Sequence, residues 1–206
     1  MQSHNPNPDD KLIWTEISRK QLFEKFSRGI DDVVFKFPDN QIHHYFIKNE
    51  PDTVCTLAFD QNNQVILAQQ FRPGPQKVLL TLPGGGLEPG HDPISSATRE
   101  LMEEVGYESH LNLTATFFDD GYSTSRRYCF LAVNCTKTNI QKLDPTEFIN
   151  TVQLPIDIFM DELRNGSITD PEAAYAAIDF INKNADSRKE YSDLSELFKK
   201  TIYTAY

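Results

Sequence analysis

Three glutamates crowd one short stretch of the chain, Glu100, Glu103 and Glu104, with Arg99 beside them. On a helix, positions three and four apart are neighbours, so the three carboxylates share one patch. Like charges this close repel, and a single guanidinium cannot neutralise them. Two readings of the patch stand side by side. A solvated acidic face tolerates the repulsion, as most charge runs do. Alternatively the patch holds hard divalent cations, Mg²⁺ or Mn²⁺, which prefer oxygen ligands and commonly bridge carboxylates to phosphates.

The element that carries the patch announces its own ends. Asp92 suits an N-cap and Pro93 the first helical position, so a helix is predicted over 93–105. Gly106 suits the left-handed residue that stops it. Ile94, Ala97, Leu101 and Val105 fall on one apolar face, with the glutamates opposite. Ahead of the helix lies the glycine run Pro83-Gly84-Gly85-Gly86, expected to end a short strand at Val78–Leu82. Glycine there lets backbone approach a ligand closely.

The rest of the chain reads as strands with interspersed and terminal helices. Val33–Phe37 and Ile42–Ile47, joined by Pro38-Asp39-Asn40, read as a hairpin. Thr53–Phe59 and Val65–Phe71 read as a second pair, and later strands are expected at 113–118, 128–133 and 148–154. Helices are predicted over 155–164, 171–181 and 191–201, the last with Leu194, Leu197, Phe198 and Ile202 on one face. Residues 14–29 are weakly helical or mixed and give no clear period. This pattern argues for an α/β fold, a sheet covered by helices. The expected division is a tail over 1–10, a β-rich segment over 11–50, a main domain over 51–183 and a helical extension over 184–206.

Composition narrows the partners. With 206 residues the chain can bury a sizeable core. Its formal net charge of −10 repels polyphosphate backbones, so duplex nucleic acid is not expected as a partner. A small anion is not excluded, because divalent ions bring positive charge to a site. Three cysteines, Cys55, Cys129 and Cys135, show neither disulfide nor zinc spacing and are expected as buried thiols. No apolar run approaches the roughly 20 residues that span a bilayer, and the first residues lack the form of a secretory signal. The expected compartment is the cytoplasm. His43 and His44 adjoin in a strand and point to opposite faces, so they cannot easily share a metal.

The segment from Gly85 reads Gly85-x5-His91-x7-Arg99-Glu100-Leu101-Met102-Glu103-Glu104-Val105-Gly106-Tyr107. It resembles the Nudix box, G-x5-E-x7-R-E-U-x-E-E-x-G-U with U bulky and apolar, in every spacing. One position departs, His91 standing where the family has a glutamate that helps fix loop and helix. His91 is expected as a loop residue hydrogen-bonding near the helix start. The resemblance implies an α/β/α sandwich around a mixed sheet, here preceded by an N-terminal strand hairpin. It also implies Glu100 and Glu104 as metal ligands, Glu103 as a further ligand or orienter of water, Arg99 as the residue holding them, and the Gly85 carbonyl completing the metal shell. Mg²⁺ is the implied cofactor, with Mn²⁺ as a substitute.

Outside the box, Gln69-Gln70-Phe71-Arg72-Pro73 resembles a segment of ADP-ribose pyrophosphatases and nucleotide-sugar hydrolases. There the arginine lies near the substrate, so Arg72 is a candidate phosphate contact, although a surface arginine at a strand end looks the same. Glu147 matches a loop acid that binds metal or activates water in that subfamily. The stretch Asp119-Asp120-Gly121-Tyr122-Ser123-Thr124-Ser125-Arg126-Arg127 departs from its pattern, with Asp120 where relatives carry proline and Ser125 where they carry an acid. Arg126 is a second candidate for phosphate. The implied reaction is attack by water on a P–O–P bridge of a nucleoside diphosphate linked to another group, ADP-ribose or a nucleoside-diphosphate sugar. A Nudix-fold binding or regulatory module, or a hydrolase of nucleoside triphosphates or dinucleoside polyphosphates, is the alternative. Relatives dimerise through N-terminal strands, so a homodimer is also admitted, and Trp14 with Tyr45 and Phe46 suits packing or an aromatic clamp.

Overall fold

The computed structural model describes residues 11–138 and 140–203, so the expected tail over 1–10 lies outside the described residues. In chain order the elements are β1 (Thr15–Lys25), β2 (Arg28–Lys36), β3 (Ile42–Asn49), β4 (Thr53–Asp60), β5 (Val65–Arg72), β6 (Lys77–Thr81), β7 (Gly84–Gly86), α1 (Pro93–Val105), β8 (Tyr107–Glu108), β9 (Leu111–Phe118), β10 (Arg126–Lys137), β11 (Ile149–Leu154), α2 (Ile156–Arg164), α3 (Pro171–Lys183) and α4 (Lys189–Tyr203). Two compact units emerge. Among the described residues, one comprises residues 11–51 with Phe118–Ser125, the other Asp52–Phe117 with the residues from Arg126 to Tyr203.

The larger unit is an α/β/α sandwich. Its sheet runs β11-β5-β4-β10-β8, with β6 on β5, β7 on β4 and β9 on β10. The β4–β10 pair is parallel and β4–β5 antiparallel, so the sheet is mixed. Period-two alternation in the central strands feeds two cores, because successive side chains leave opposite faces. Cys55, Leu57, Phe59, Leu67 and Leu131 face a core with residues of α2, α3 and α4. Val54, Ala58, Ile66, Phe130 and Ala132 face a second core with Ala97, Leu101 and Val105 of α1. In α4, Leu194 and Phe198 join the first core with Leu197 packed against it, while Ile202 lies beyond the described side chains. All three cysteines are free and buried, as expected.

The smaller unit is a three-stranded antiparallel sheet, β1-β2-β3. The expected hairpin is β2–β3, in register from Gly29↔Asn49 to Lys36↔Ile42. The stretch read as weakly helical or mixed is instead the 11-residue strand β1, exposed along its whole length. Its hairpin turns through Phe26 and Ser27, both at positive φ. Such a turn is normally marked by Asn-Gly, so its sequence gives no signal. Loop 118–125 folds onto β3. Lys48 pairs with Asp119 at 3.0 Å and Asp120 at 2.5 Å, and Thr124 N–H donates to the Lys48 carbonyl. Trp14, Phe35, Phe37 and Tyr45 pack as an aromatic group that Tyr122 extends by stacking on Tyr45. Phe46 remains exposed.

Candidate active site

Helix α1 begins and ends where its caps dictate. Asp92 accepts from Ser95 N–H, and Gly106, at φ 73°, donates to the carbonyls of Leu101 and Met102. Its buried arc differs from the expected one. Ser96, Ala97, Glu100, Leu101, Glu104 and Val105 are buried, whereas Ile94 is exposed. The stripe is rotated toward the acids because the glycine strand β7 lies against that flank. Glu100 and Glu104 are therefore not a solvated face, being only 9% and 4% exposed. Glu103 is half-buried.

The glycines follow the end of a short strand, β6, as expected, and they also form a strand of their own. Gly84–Gly86 form β7, paired with Thr53–Cys55 of β4. Two close approaches require glycine here. A Cβ on Gly84 would lie 2.1 Å from the Val54 carbonyl oxygen, and one on Gly85 2.6 Å from Glu100 Oε1. The loop backbone therefore lies directly on the acidic patch. Gly84 N–H donates to Glu104 Oε2 at 2.8 Å.

Burial dominates the electrostatics. It raises the Glu104 pKa to about 7, against the lowering effect of the Gly84 N–H, with Glu100 and Glu147 pushing the same way as burial. Burial likewise raises Glu100, with Arg99 opposing and Glu147 and Glu103 adding. Arg99 donates to Glu100 Oε1 at 2.8 Å and Glu103 Oε2 at 2.6 Å. Glu147 reaches this neighbourhood because its loop is tied to the end of α1. Lys142 N–H donates to the Glu103 carbonyl at 3.0 Å and Gln141 Nε2 to the Glu104 carbonyl at 2.7 Å.

Arg72 ends β5, half-buried and close enough to favour the charged forms of Glu104 and Asp170. Arg126 opens β10 with an exposed side chain, and its N–H donates to Asp52 at 2.8 Å. His91 is exposed and stands 3.3 Å from Glu88 through Nδ1. Asp170, not expected among the site residues, pairs with Arg127 at 3.2 Å beside Glu172. Burial still raises the Asp170 pKa despite that partner. The signal available was an acid immediately before Pro171 at a helix start. His43 and His44 take no part, His44 pairing with Asp32 and His43 with Gln41. A groove of about 520 Å³, lined by residues such as Asn62, Pro155 and Lys200, contains none of these residues.

Among the described residues, no three acidic, histidine or cysteine side chains converge at metal-holding distances. Arg99 holds oxygens of Glu100 and Glu103, and Gly84 holds one of Glu104. The donor chemistry nevertheless fits a hard divalent cation. Two buried carboxylates, both driven toward protonation, with a third acid nearby, are the groups such an ion stabilises in charged form. Gathering them round an ion would require Glu100 and Glu103 to turn from Arg99 and Glu104 from the Gly84 N–H.

Comparison with known proteins agrees with this architecture. The chain is 29% identical over 173 residues to the methanol dehydrogenase activator of Bacillus methanolicus, covering 82% of this chain and 90% of that protein. It is 26% identical to the ADP-ribose pyrophosphatase of Bacillus subtilis, covering 78% and 88% respectively. A solved structure described as an ADP compounds hydrolase shares the fold with a TM-score of 0.68 at 20% identity, over 80% of this chain and 90% of that one. The NUDIX domain model matches residues 49–170, which span β7, α1, Glu147 and Asp170. The chain therefore belongs to the Nudix family.

Proposed function

We propose that the chain is a metal-dependent pyrophosphohydrolase acting on a nucleoside diphosphate linked to a second group, with ADP-ribose or a nucleoside-diphosphate sugar as the substrate class. The observation that carries this reading is the pair of buried carboxylates, Glu100 and Glu104, lying against the Gly84–Gly85 backbone with Glu147 in electrostatic reach. Similarity to an ADP-ribose pyrophosphatase over most of its length supports the substrate class.

Glu100, Glu104 and Glu103, with the Gly85 carbonyl, would hold Mg²⁺, or Mn²⁺ in its place. When bound, the cation supplies positive charge for phosphate oxygens and lowers the pKa of water. Arg72 and Arg126 contact the phosphates, and Arg99 orients the glutamates. Glu147 or Glu103 takes the proton from the attacking water. A bond forms from water oxygen to one phosphorus, the bridging P–O bond breaks, and its electron pair leaves with the other phosphate. The products are a nucleoside monophosphate and a sugar phosphate, AMP and ribose 5-phosphate from ADP-ribose.

On the same reading, residues 51–183 are the catalytic domain, 11–50 a dimerisation element and 184–206 a helical extension. The exposure of apolar Ile17, Leu22 and Phe23 on β1 supports a homodimer. The three buried free thiols suit a reducing cytoplasm, and no helix among the described residues is long and apolar enough to cross a membrane.

The test is incubation with Mg²⁺ or Mn²⁺ and a panel of ADP-ribose, ADP- and GDP-sugars, nucleoside triphosphates and dinucleoside polyphosphates. Chromatography should find nucleoside monophosphate plus sugar phosphate. A second reading, a non-catalytic nucleotide-binding module, draws on the lack of convergence among the acids and on His91. Binding without turnover of any panel member would favour it.

A further inference from the structure

Arg99 faces three carboxylates, not two. Besides Glu100 and Glu103, its Nη2 lies 3.9 Å from Glu88 Oε1, beyond hydrogen-bond distance but within ion-pair range. Glu88 comes from a different element, the loop between β7 and α1. That loop is shaped by a turn in which His91 N–H donates to the Glu88 carbonyl at 3.1 Å, with Pro89 and Gly90 between them and Gly90 at φ 84°. Pro then Gly at positive φ is the signature of a type II turn, which brings its first and last side chains together. His91 Nδ1 accordingly stands 3.3 Å from Glu88 Oε2. One carboxylate is thus held between the imidazole and the guanidinium.

The arrangement matters because Arg99 and a divalent cation compete for the same oxygens. A guanidinium that grips Glu100 and Glu103 must loosen before those side chains can turn to a metal. Its charge then needs another partner, and Glu88 is the acid within reach that does not itself belong to the proposed ligand set. We propose that Glu88 is a positioning residue that receives Arg99 when Glu100 and Glu103 bind metal, filling from three residues upstream the place that His91 leaves without a carboxylate. His91 fixes the Glu88 rotamer from the other side. The inference rests on the metal-site reading above.

The test is direct titration with Mn²⁺ by electron paramagnetic resonance, alongside turnover and thermal melting, on the full chain. Glu88→Gln should weaken Mn²⁺ binding about three- to ten-fold, the modest end of effects for groups that support metal ligands because the pair is solvent-exposed. Its melting temperature should stay unchanged, and the loss should appear in the metal concentration needed for half-maximal rate more than in kcat. Glu88→Asp should retain part of the affinity. Adding His91→Glu to Glu88→Gln should restore binding to within about two-fold, because it returns a carboxylate to the loop at the position the Nudix box uses. If the unsubstituted chain binds Mn²⁺ but Glu88→Gln binds it equally well, or if His91→Glu fails to rescue, the Glu88 inference is wrong and the metal site stands. If the unsubstituted chain binds no Mn²⁺, both fall.

Discussion

Two arginines of the larger unit each sit between acids, and they are built for opposite tasks. Arg127 meets Asp170 and Glu172 at the start of α3, where its side chain is 21% exposed and that of Asp170 16%. Thr169 Oγ1 also donates to Asp170 at 2.8 Å. Together these contacts fasten strand β10 to the start of helix α3. Arg99 is 36% exposed and shares its donors among Glu100, Glu103 and Glu88, which come from both helix and loop. A guanidinium with five donors, shared by acids from two elements and partly exposed, can change hands at low cost. The acids are about equally buried in the two places, so what separates a fastening from an exchangeable contact is the exposure of the guanidinium and the number of elements that share it.

Substitutions can break that contrast. The largest effect is expected at Glu104, where Glu104→Gln should lower turnover about 1,000-fold while melting at the same temperature or higher. Turnover within threefold of the unsubstituted chain would remove Glu104 from the metal site. Next, Arg127→Met should cost about 2–3 kcal/mol of stability in denaturant unfolding, because it strands a largely buried carboxylate. Arg99→Met also strands a buried carboxylate, Glu100, but should cost less, about 1–2 kcal/mol, because the guanidinium it removes is the more exposed of the two, and it should act on turnover as well. Equal losses of stability would erase the distinction between the two arginines.

Glu104 also sets a pH dependence. Its folded-state pKa, about 7, lies above its ordinary value of 4.5, so the folded protein binds its proton more tightly than the unfolded chain. That stabilisation is complete below about 4.5 and is lost as pH rises through 7, an effect on the order of 3 kcal/mol. In chelator, melting temperature should therefore fall between pH 5 and 7.5, and Mg²⁺ should flatten the fall by favouring the charged carboxylate. Glu104→Gln should lack the decline, and an identical profile in that variant would assign it elsewhere. The smallest effect is expected for Arg126→Ala, a few-fold rise in KM with kcat kept, since an exposed arginine contributes binding without the leverage of burial. An unchanged KM would take Arg126 out of the substrate contacts.

Local signals carried much of this structure. Helix α1 was readable because Asp92, Pro93 and Gly106 act within a turn of their own positions. The central strands were readable because both faces of β4, β5 and β10 are covered, so their apolar runs are continuous. What escaped depends on groups distant in sequence. The helical spacing of α1 set Glu100 and Glu104 opposite the apolar stripe, but contact with β7 buried them and left Ile94 outside. Gly84–Gly86 lack every strand preference, yet pair because β4 presents its edge to them. Strand β1 has no buried face to impose alternation, and its turn at Phe26-Ser27 uses residues that seldom take positive φ. The Pro89-Gly90 pair after Glu88 favours a turn, but nothing in the sequence says how far the Glu88 carboxylate lies from Arg99.

The parallel pairing of β4 with β10 has a consequence for biosynthesis. Cys55 and Cys129 are partners across it although 74 residues separate them. Everything between, including β7 and α1, is enclosed in that crossover, so the sheet beneath α1 is incomplete until the ribosome has released β10. Contacts of such sequence separation slow folding and extend the interval in which strand edges are bare. A nascent chain that stops before Arg126 would carry every box residue and still lack the strand that completes the core beneath them.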